Sequence, residues 1–271
     1  MVRRLLWTYL WPIRAYIRYA PISKGKGFFT RRLLRPVLPP LPATFITKLP
    51  GDTAIELYYR ETLGLSTLLH GVFEEAELRF MQSILSPGAI AWDIGANVGV
   101  FSVVMGSAVK KEGQVLAFEP VAQNTERLLA NVRRNALENI EVLQVALSDK
   151  EGEVDLRLAD DPAYSSIVGV REGQWSGELL RVPARRLDAI WQERGRPDIA
   201  AIKIDVEGAE ARVLIGGLEC IRACRPVIVV EAKESADLRG LQDILSPFGF
   251  ESLKPCGFQH WNFVFKVRNL K

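Results

Sequence analysis

From residue 89 onward the chain alternates between short apolar runs and longer amphipathic stretches. "AIAWDIG" is followed by "VGVFSVVMGSAVK", "GQVLAFEP" by "VAQNTERLLANVRRNA", "AAIKIDVEG" by "AEARVLIGGLECIRA", and "PVIVVEA" by "SADLRGLQDILSPFG". The apolar runs have strand length and the longer stretches have helical spacing. "IEVLQVAL" reads as a further strand, and "EVDLRLA" as another. Strands that alternate with helices build a mostly parallel sheet covered on both faces, in a doubly wound α/β arrangement. The last two runs, "FESLKP" and "NFVFKV", are joined only by "CGFQHW". That link is too short for a parallel crossover, so at least one of the two strands is antiparallel.

A sheet of this kind binds ligands at the carboxyl ends of its strands, where the first turn enters a helix. Here that turn reads "AWDIGANVGVFS" over residues 91–102. Gly95 and Gly99 let the backbone approach a ligand, and Asn97 is among the few other residues that tolerate positive φ. Asp93 ends the strand. A dinucleotide site would show G-x-G-x-x-G, with a pyrophosphate on the helix N-terminus. This turn has G-x-x-x-G instead, and Asp93 would oppose a pyrophosphate. S-adenosylmethionine carries an amine, a carboxylate and a sulfonium but no phosphate, and it suits an acidic strand end. Glu119 ends the next strand, where a carboxylate can accept from both ribose hydroxyls.

The motifs "DIGANVG", "FEP", "ALSDKEG" and "IKIDVEGAE" together resemble the FkbM family of class I, S-adenosylmethionine-dependent methyltransferases, over about residues 70–265. The resemblance implies a Rossmann-like, seven-stranded sheet and methyl transfer to a hydroxyl of a sugar, glycolipid or small natural product. It implies cofactor contacts from Asp93, Gly95, Ala96, Asn97, Gly99 and Glu119, with the adenine beside Ala146, Ser148 and Asp149. It also implies that Lys203, Asp205 and Glu207 line or support the methyl-transfer site, with Glu210 beside them. Asp205 is the expected base or substrate orienter, and Lys203 shares its strand face because side chains alternate. "SSI" at Ser165–Ile167 resembles the family without an assignable role.

Several alternatives are weaker. Asp205 and Glu231 end adjacent strands and could share Mg²⁺, but no further oxygen ligand is evident, so no metal site is assigned. A nucleic-acid methyltransferase acting on base amines would carry a Pro-Pro-aromatic stretch where this chain has "DVEGAE". A cofactor-binding module without catalysis is the remaining alternative. Cys220, Cys224 and Cys256 make an odd count with no disulfide framework, which points to a reducing, cytoplasmic setting.

Charge divides the chain. Residues 1–50 hold ten Lys and Arg and no acid. The whole chain is +3, so subtracting those ten leaves residues 51–271 at −7. Such an acidic body disfavours nucleic acid. Residues 1–50 form a basic, aromatic arm with a Pro-rich linker, an N-terminal extension expected to be helical over residues 3–20. No window there is apolar enough for a transmembrane helix. Residues 1–35 place nine basic side chains among Trp7, Tyr9, Trp11, Tyr16 and Tyr19. That pattern suits a peripheral helix on an anionic membrane surface. Residues 51–89 are expected to be a helical lead-in and 90–271 the catalytic domain. A homo-oligomer is left open.

Overall fold

The computed structural model describes residues 43–158, 166–167 and 178–268. Residues 1–42 of the basic arm, with its expected helix, and Ser165 lie outside the described residues. Among those described, no helix is long and apolar enough to cross a membrane.

The chain divides into two compact units. One contains residues up to Lys48 together with Ile55–Phe73. Strand β1 (Thr44–Lys48) pairs with β2 (Ala54–Tyr58) in a two-stranded sheet. Phe45, Ile55 and Leu57 are buried at alternate positions, the period of a strand. The lead-in expected to be helical from residue 51 therefore begins with a strand, because "AIELY" has a period of two. The helix Thr62–His70 follows.

The second unit contains Leu49–Ala54 and the chain from Glu74 onward. It opens with the helix Glu75–Ile84, which runs up to Ser86-Pro87-Gly88. Its strands are β3 (Ile90–Ile94), β4 (Gln114–Phe118), β5 (Ile140–Leu143), β6 (Ala146–Leu147), β7 (Gly152–Arg157), β8 (Ser166–Ile167), β9 (Leu179–Arg185), β10 (Ile199–Ile204), β11 (Val227–Glu231), β12 (Phe250–Leu253) and β13 (Asn262–Val267). The main sheet has seven strands in the order β12-β13-β11-β10-β3-β4-β5. The five from β11 to β5 are parallel, and β13 is antiparallel to both of its neighbours. A smaller sheet has the order β6-β9-β7-β8.

Two runs break differently from their sequence reading. "IEVLQVAL" is two strands, with β5 in the main sheet and β6 in the smaller one. The stretch after β10 is two helices, Glu210–Ile215 and Leu218–Cys224. Gly216 and Gly217 separate them. A Cβ at Gly216 would lie 2.1 Å from the Ser148 carbonyl oxygen, so the chain passes closer there than any side chain permits.

The two faces of the main sheet differ. Trp92, Ile94, Leu116, Phe118, Ile202, Ile204, Ile228, Val230 and Phe265 bury one face against the helices that follow β9, β10 and β11. The alternate residues Ala91, Asp93, Ala117, Lys203, Val229, Glu231 and Asn262 point to the other. On that face the helix Val100–Val109 packs on β3 and β4, and Glu75–Ile84 packs against that helix.

Candidate active site

The turn after β3 is set by conformation and by contact. Gly95, Asn97 and Gly99 have φ of 78°, 49° and 92°. A Cβ on Gly95 would stand 1.8 Å from the Asp205 carbonyl oxygen. Glycine is therefore required twice over, and its lack of a side chain brings the first turn onto the end of β10. The turn's amides are engaged internally. The Gly95 and Ala96 N–H groups both donate to Phe118 O at 3.0 Å, and Gly99 N–H donates to Ala96 O at 2.8 Å. Asn97 N–H donates to Glu119 Oε2 at 2.8 Å.

Glu119 thus ties the first turn to the second. Its Oε1 also accepts from Val121 N–H at 3.0 Å and from Asn124 Nδ2 at 3.2 Å. A carboxylate offers about four acceptor positions. Three are filled, so one remains for a ligand rather than the two expected for a ribose. Burial pushes Glu119 up to about 7, against the three donors that favour its charged form.

A cleft opens at the carboxyl ends of β3, β4 and β10. Of the residues singled out in the sequence, Gly95, Asn97, Glu119, Ala146, Asp205 and Glu207 line it. Asp93, Ala96, Gly99, Lys203, Ser148 and Asp149 are not among its lining residues. Ser148 is buried, and its hydroxyl donates to its neighbour Asp149 at 3.0 Å. Sequence reasoning missed Asn124 and the apolar wall of Val145, Leu147 and Leu156. Asn124 carried a signal, since it is a polar residue in the first turn after Glu119-Pro120. The wall carried none, because it comes from the smaller sheet and the link into it.

Behind the cleft runs a buried polar row. Pairing sets Lys203 beside Asp93, and Glu231 beside Asn262, all on one face. Asp93 accepts from the Ser102 hydroxyl at 2.5 Å and is 1% exposed. It braces the loop from below. Burial raises Asp93 to about 6, while Ser102 and then Lys203 pull the other way. Lys203 is also 1% exposed, and among the described residues its ammonium has no hydrogen-bond partner. It lies 3.3 Å from Asp205 Oδ2 and 4.9 Å from the centre of the Phe101 ring. Burial alone would lower its pKa. Asp205, then Glu74, Glu231 and Asp93, outweigh that and hold it above the ordinary lysine range.

The "DVEGAE" turn is also explained locally. Glu207 and Gly208 take positive φ of 53° and 105°. Glu210 Oε1 accepts from Val206 N–H at 3.3 Å and Gly208 N–H at 3.0 Å, so Glu210 closes this turn. Lys233 Nζ bridges Glu207 at 2.5 Å and Glu231 at 3.0 Å. Burial, then Asp205 and Glu207, raise Glu231 to about 8. Carboxylate oxygens of Asp205, Glu210 and Glu231 lie within 4.8 Å of one another. Lys203 and Lys233 supply cations at this cluster, and Glu210 is committed to the turn.

A doubly wound sheet with an antiparallel β13 beside β11, and an acid-ended β4 beside a glycine turn, defines the class of Rossmann-like, S-adenosylmethionine-dependent methyltransferases. The site fits that cofactor: it offers a free acceptor on Glu119 and an apolar wall beside it. Residues 93–258 match the Methyltransferase FkbM domain, and the chain belongs to that family. It is 31% identical over 210 residues to AMB antimetabolite synthetase AmbE of Pseudomonas aeruginosa, covering 62% of this chain but only 10% of AmbE. It is 30% identical over 188 residues to methyltransferase sdnD of Sordaria araneosa, covering 59% of this chain and 72% of sdnD. It is 27% identical over 191 residues to 2-O-methyltransferase NoeI of Sinorhizobium fredii, covering 64% of this chain and 77% of NoeI.

Proposed function

We propose that this chain methylates a hydroxyl of a sugar, glycolipid or small natural product, with Asp205 as the group that receives the hydroxyl proton. One observation carries the reading. Asp205 lines the cleft at the end of β10, 3.3 Å from a fully buried lysine ammonium. S-adenosylmethionine, when bound, supplies a methyl group on a sulfonium. Glu119, Asn97, Gly95 and Ala146 are the residues to hold it. A neutral hydroxyl is a weak nucleophile at pH 7, so a positioned carboxylate that accepts its proton as the O–C bond forms speeds the reaction. The neighbouring ammonium fixes the position of the Asp205 carboxylate through their ion pair. Glu207, fixed by Lys233, stands on the cleft wall and can orient the acceptor. The likeness to NoeI, a 2-O-methyltransferase, supports transfer to oxygen.

The basic arm, by its composition, would bring the enzyme to an anionic membrane surface and so to lipid-linked acceptors. The test of the function is incubation with methyl-labelled S-adenosylmethionine and a panel of neutral glycosides, glycolipids, polyketides and RNA. The reading requires label in a base-stable methyl ether. Label on the bases of RNA alone, or cofactor binding without transfer to any member, overturns it.

A further inference from the structure

Strands β10 and β11 are parallel and in register through Ile204 and Val230, so Asp205 and Glu231 leave the sheet side by side at its carboxyl edge. Carboxylate oxygens of the two lie within 4.8 Å of each other. Asp205 lines the cleft, and its side chain is 32% exposed. Glu231 is 7% exposed and pairs with the Lys233 ammonium through Oε2 at 3.0 Å. A carboxylate has about four acceptor positions, so Glu231 keeps others for a ligand. The neighbouring amide does not use them. Asn262, paired with Glu231 across β13, turns its Nδ2 to Glu74 Oε1 at 2.8 Å and to Glu77 Oε1 at 3.2 Å.

The Lys203 ammonium calls for oxygen at this pair. It stands 3.3 Å from Asp205 Oδ2, is buried, and among the described residues has no hydrogen-bond partner. An ammonium has three N–H donors, and a buried one left unpaired is costly. Oxygen atoms of a ligand beside Asp205 relieve that cost.

The spacing sets how many hydroxyls fit and how far apart they stand. One hydroxyl has one proton and donates to only one of the two carboxylates. Hydroxyl oxygens on adjacent ring carbons stand about 2.9 Å apart when gauche. Their O–H bonds diverge, and with hydrogen bonds of about 2.7 Å their acceptors come to roughly 4–5 Å apart. Diequatorial hydroxyls on alternate carbons start about 5 Å apart and reach acceptors further apart still.

We propose that Asp205 and Glu231 together read a vicinal diol: Asp205 takes the proton of the hydroxyl that is methylated, and Glu231 accepts a hydrogen bond from the hydroxyl next to it. This rests on the role of Asp205 given above and makes Glu231 a specificity-determining residue of the same site. The reacting oxygen gains the methyl carbon as the carbon–sulfur bond breaks, and its proton passes to Asp205. The second hydroxyl keeps its proton. Burial raises Glu231 to about 8. Its protonated form still accepts through the carbonyl oxygen, and a donor hydroxyl favours the charged form.

The test measures methyl transfer by the full chain from labelled S-adenosylmethionine to trans-cyclohexane-1,2-diol, cis-cyclohexane-1,3-diol and cyclohexanol. The wild type should favour the 1,2-diol over the other two by roughly 10–100-fold in kcat/KM. Glu231→Met removes the carboxylate and should abolish that preference. Glu231→Gln keeps a neutral acceptor and should shrink the preference roughly fivefold, which decides the matter where Glu231→Met does not fold. A wild type without preference for the 1,2-diol, or a preference that survives unchanged in a folded Glu231 variant, overturns the proposal. Saturation-transfer NMR with the same three probes and S-adenosylhomocysteine separates recognition from chemistry. Selective binding of the 1,2-diol that depends on Glu231, with no methyl transfer, would sink the function while the diol site stood. A wild type that neither binds nor methylates the 1,2-diol overturns the diol site itself.

Discussion

Replacing Gly95 by alanine separates backbone conformation from backbone approach. The φ of 78° alone costs an alanine about 1–2 kcal/mol. The added methyl would also lie 1.8 Å from the Asp205 carbonyl oxygen and 2.8 Å from its carbon. Neither atom belongs to a flexible side chain, so the turn or the end of β10 must move. Overpacking of this kind costs about 1–3 kcal/mol more, bringing the expected loss to about 2–5 kcal/mol. Gly88 supplies the control. It has φ of 87°, and nothing stands within 4 Å of a Cβ there, so Gly88→Ala should cost only the conformational part. Gly99 is intermediate, with φ of 92° and Leu128 Cγ 3.0 Å away, on a side chain that can yield. Urea unfolding of the three variants should rank them Gly95, Gly99, Gly88 in order of loss. Calorimetry should show loss of S-adenosylmethionine binding only in the first. Equal losses in Gly95→Ala and Gly88→Ala, with cofactor binding intact in both, would refute the close approach of the two turns.

Other outcomes follow from the same geometry. Glu119→Ala should abolish measurable cofactor affinity and also destabilise the chain, since the Asn97 and Val121 amides lose their acceptor at about 1–3 kcal/mol for each buried group; wild-type affinity in calorimetry would exclude Glu119 from the cofactor site. Asp93, Glu119, Glu74 and Glu231 are raised by burial to about 6, 7, 7 and 8. The folded chain therefore holds more protons than the unfolded one between about pH 4 and 8, so unfolding free energy should fall as pH rises through that window. Melting temperature in a pH series checks it, and a monotonic rise would contradict it. The full chain should float with anionic vesicles at low salt, less at high salt, and a chain starting at residue 43 should not; equal behaviour of the two removes the membrane role of the arm.

The parts of this site that were legible in the sequence share one property: they are local. Gly95, Asn97 and Gly99 announce positive φ within one turn, and Glu119 and Asp205 each stand just past an apolar run. What escaped was long-range or masked by an opposing signal. Glu74 and Asn262 are 188 residues apart in the chain, and nothing around either points to the other. Strand β9 was missed because Pro183 lies within it. The structure accommodates Pro183 because β6 pairs only with Ala184 and Arg185. Asp93 is a case where the motif and the fold speak to different things: its motif position suggested a cofactor contact, and the fold shows the face on which β3 presents it, toward Ser102 and Lys203.

The most direct measurement is the pairing of cofactor affinity with turnover in Asp205→Asn. The substitution keeps the size of the side chain and removes the charge that receives the proton. S-adenosylmethionine affinity by calorimetry should stay within about twofold, because no cofactor-holding group is altered, while transfer to the acceptor should fall roughly 10²–10⁴-fold. Full turnover in Asp205→Asn would contradict the assignment of the hydroxyl proton to Asp205. Loss of cofactor binding in that variant, with the fold intact, would place Asp205 in the cofactor site instead.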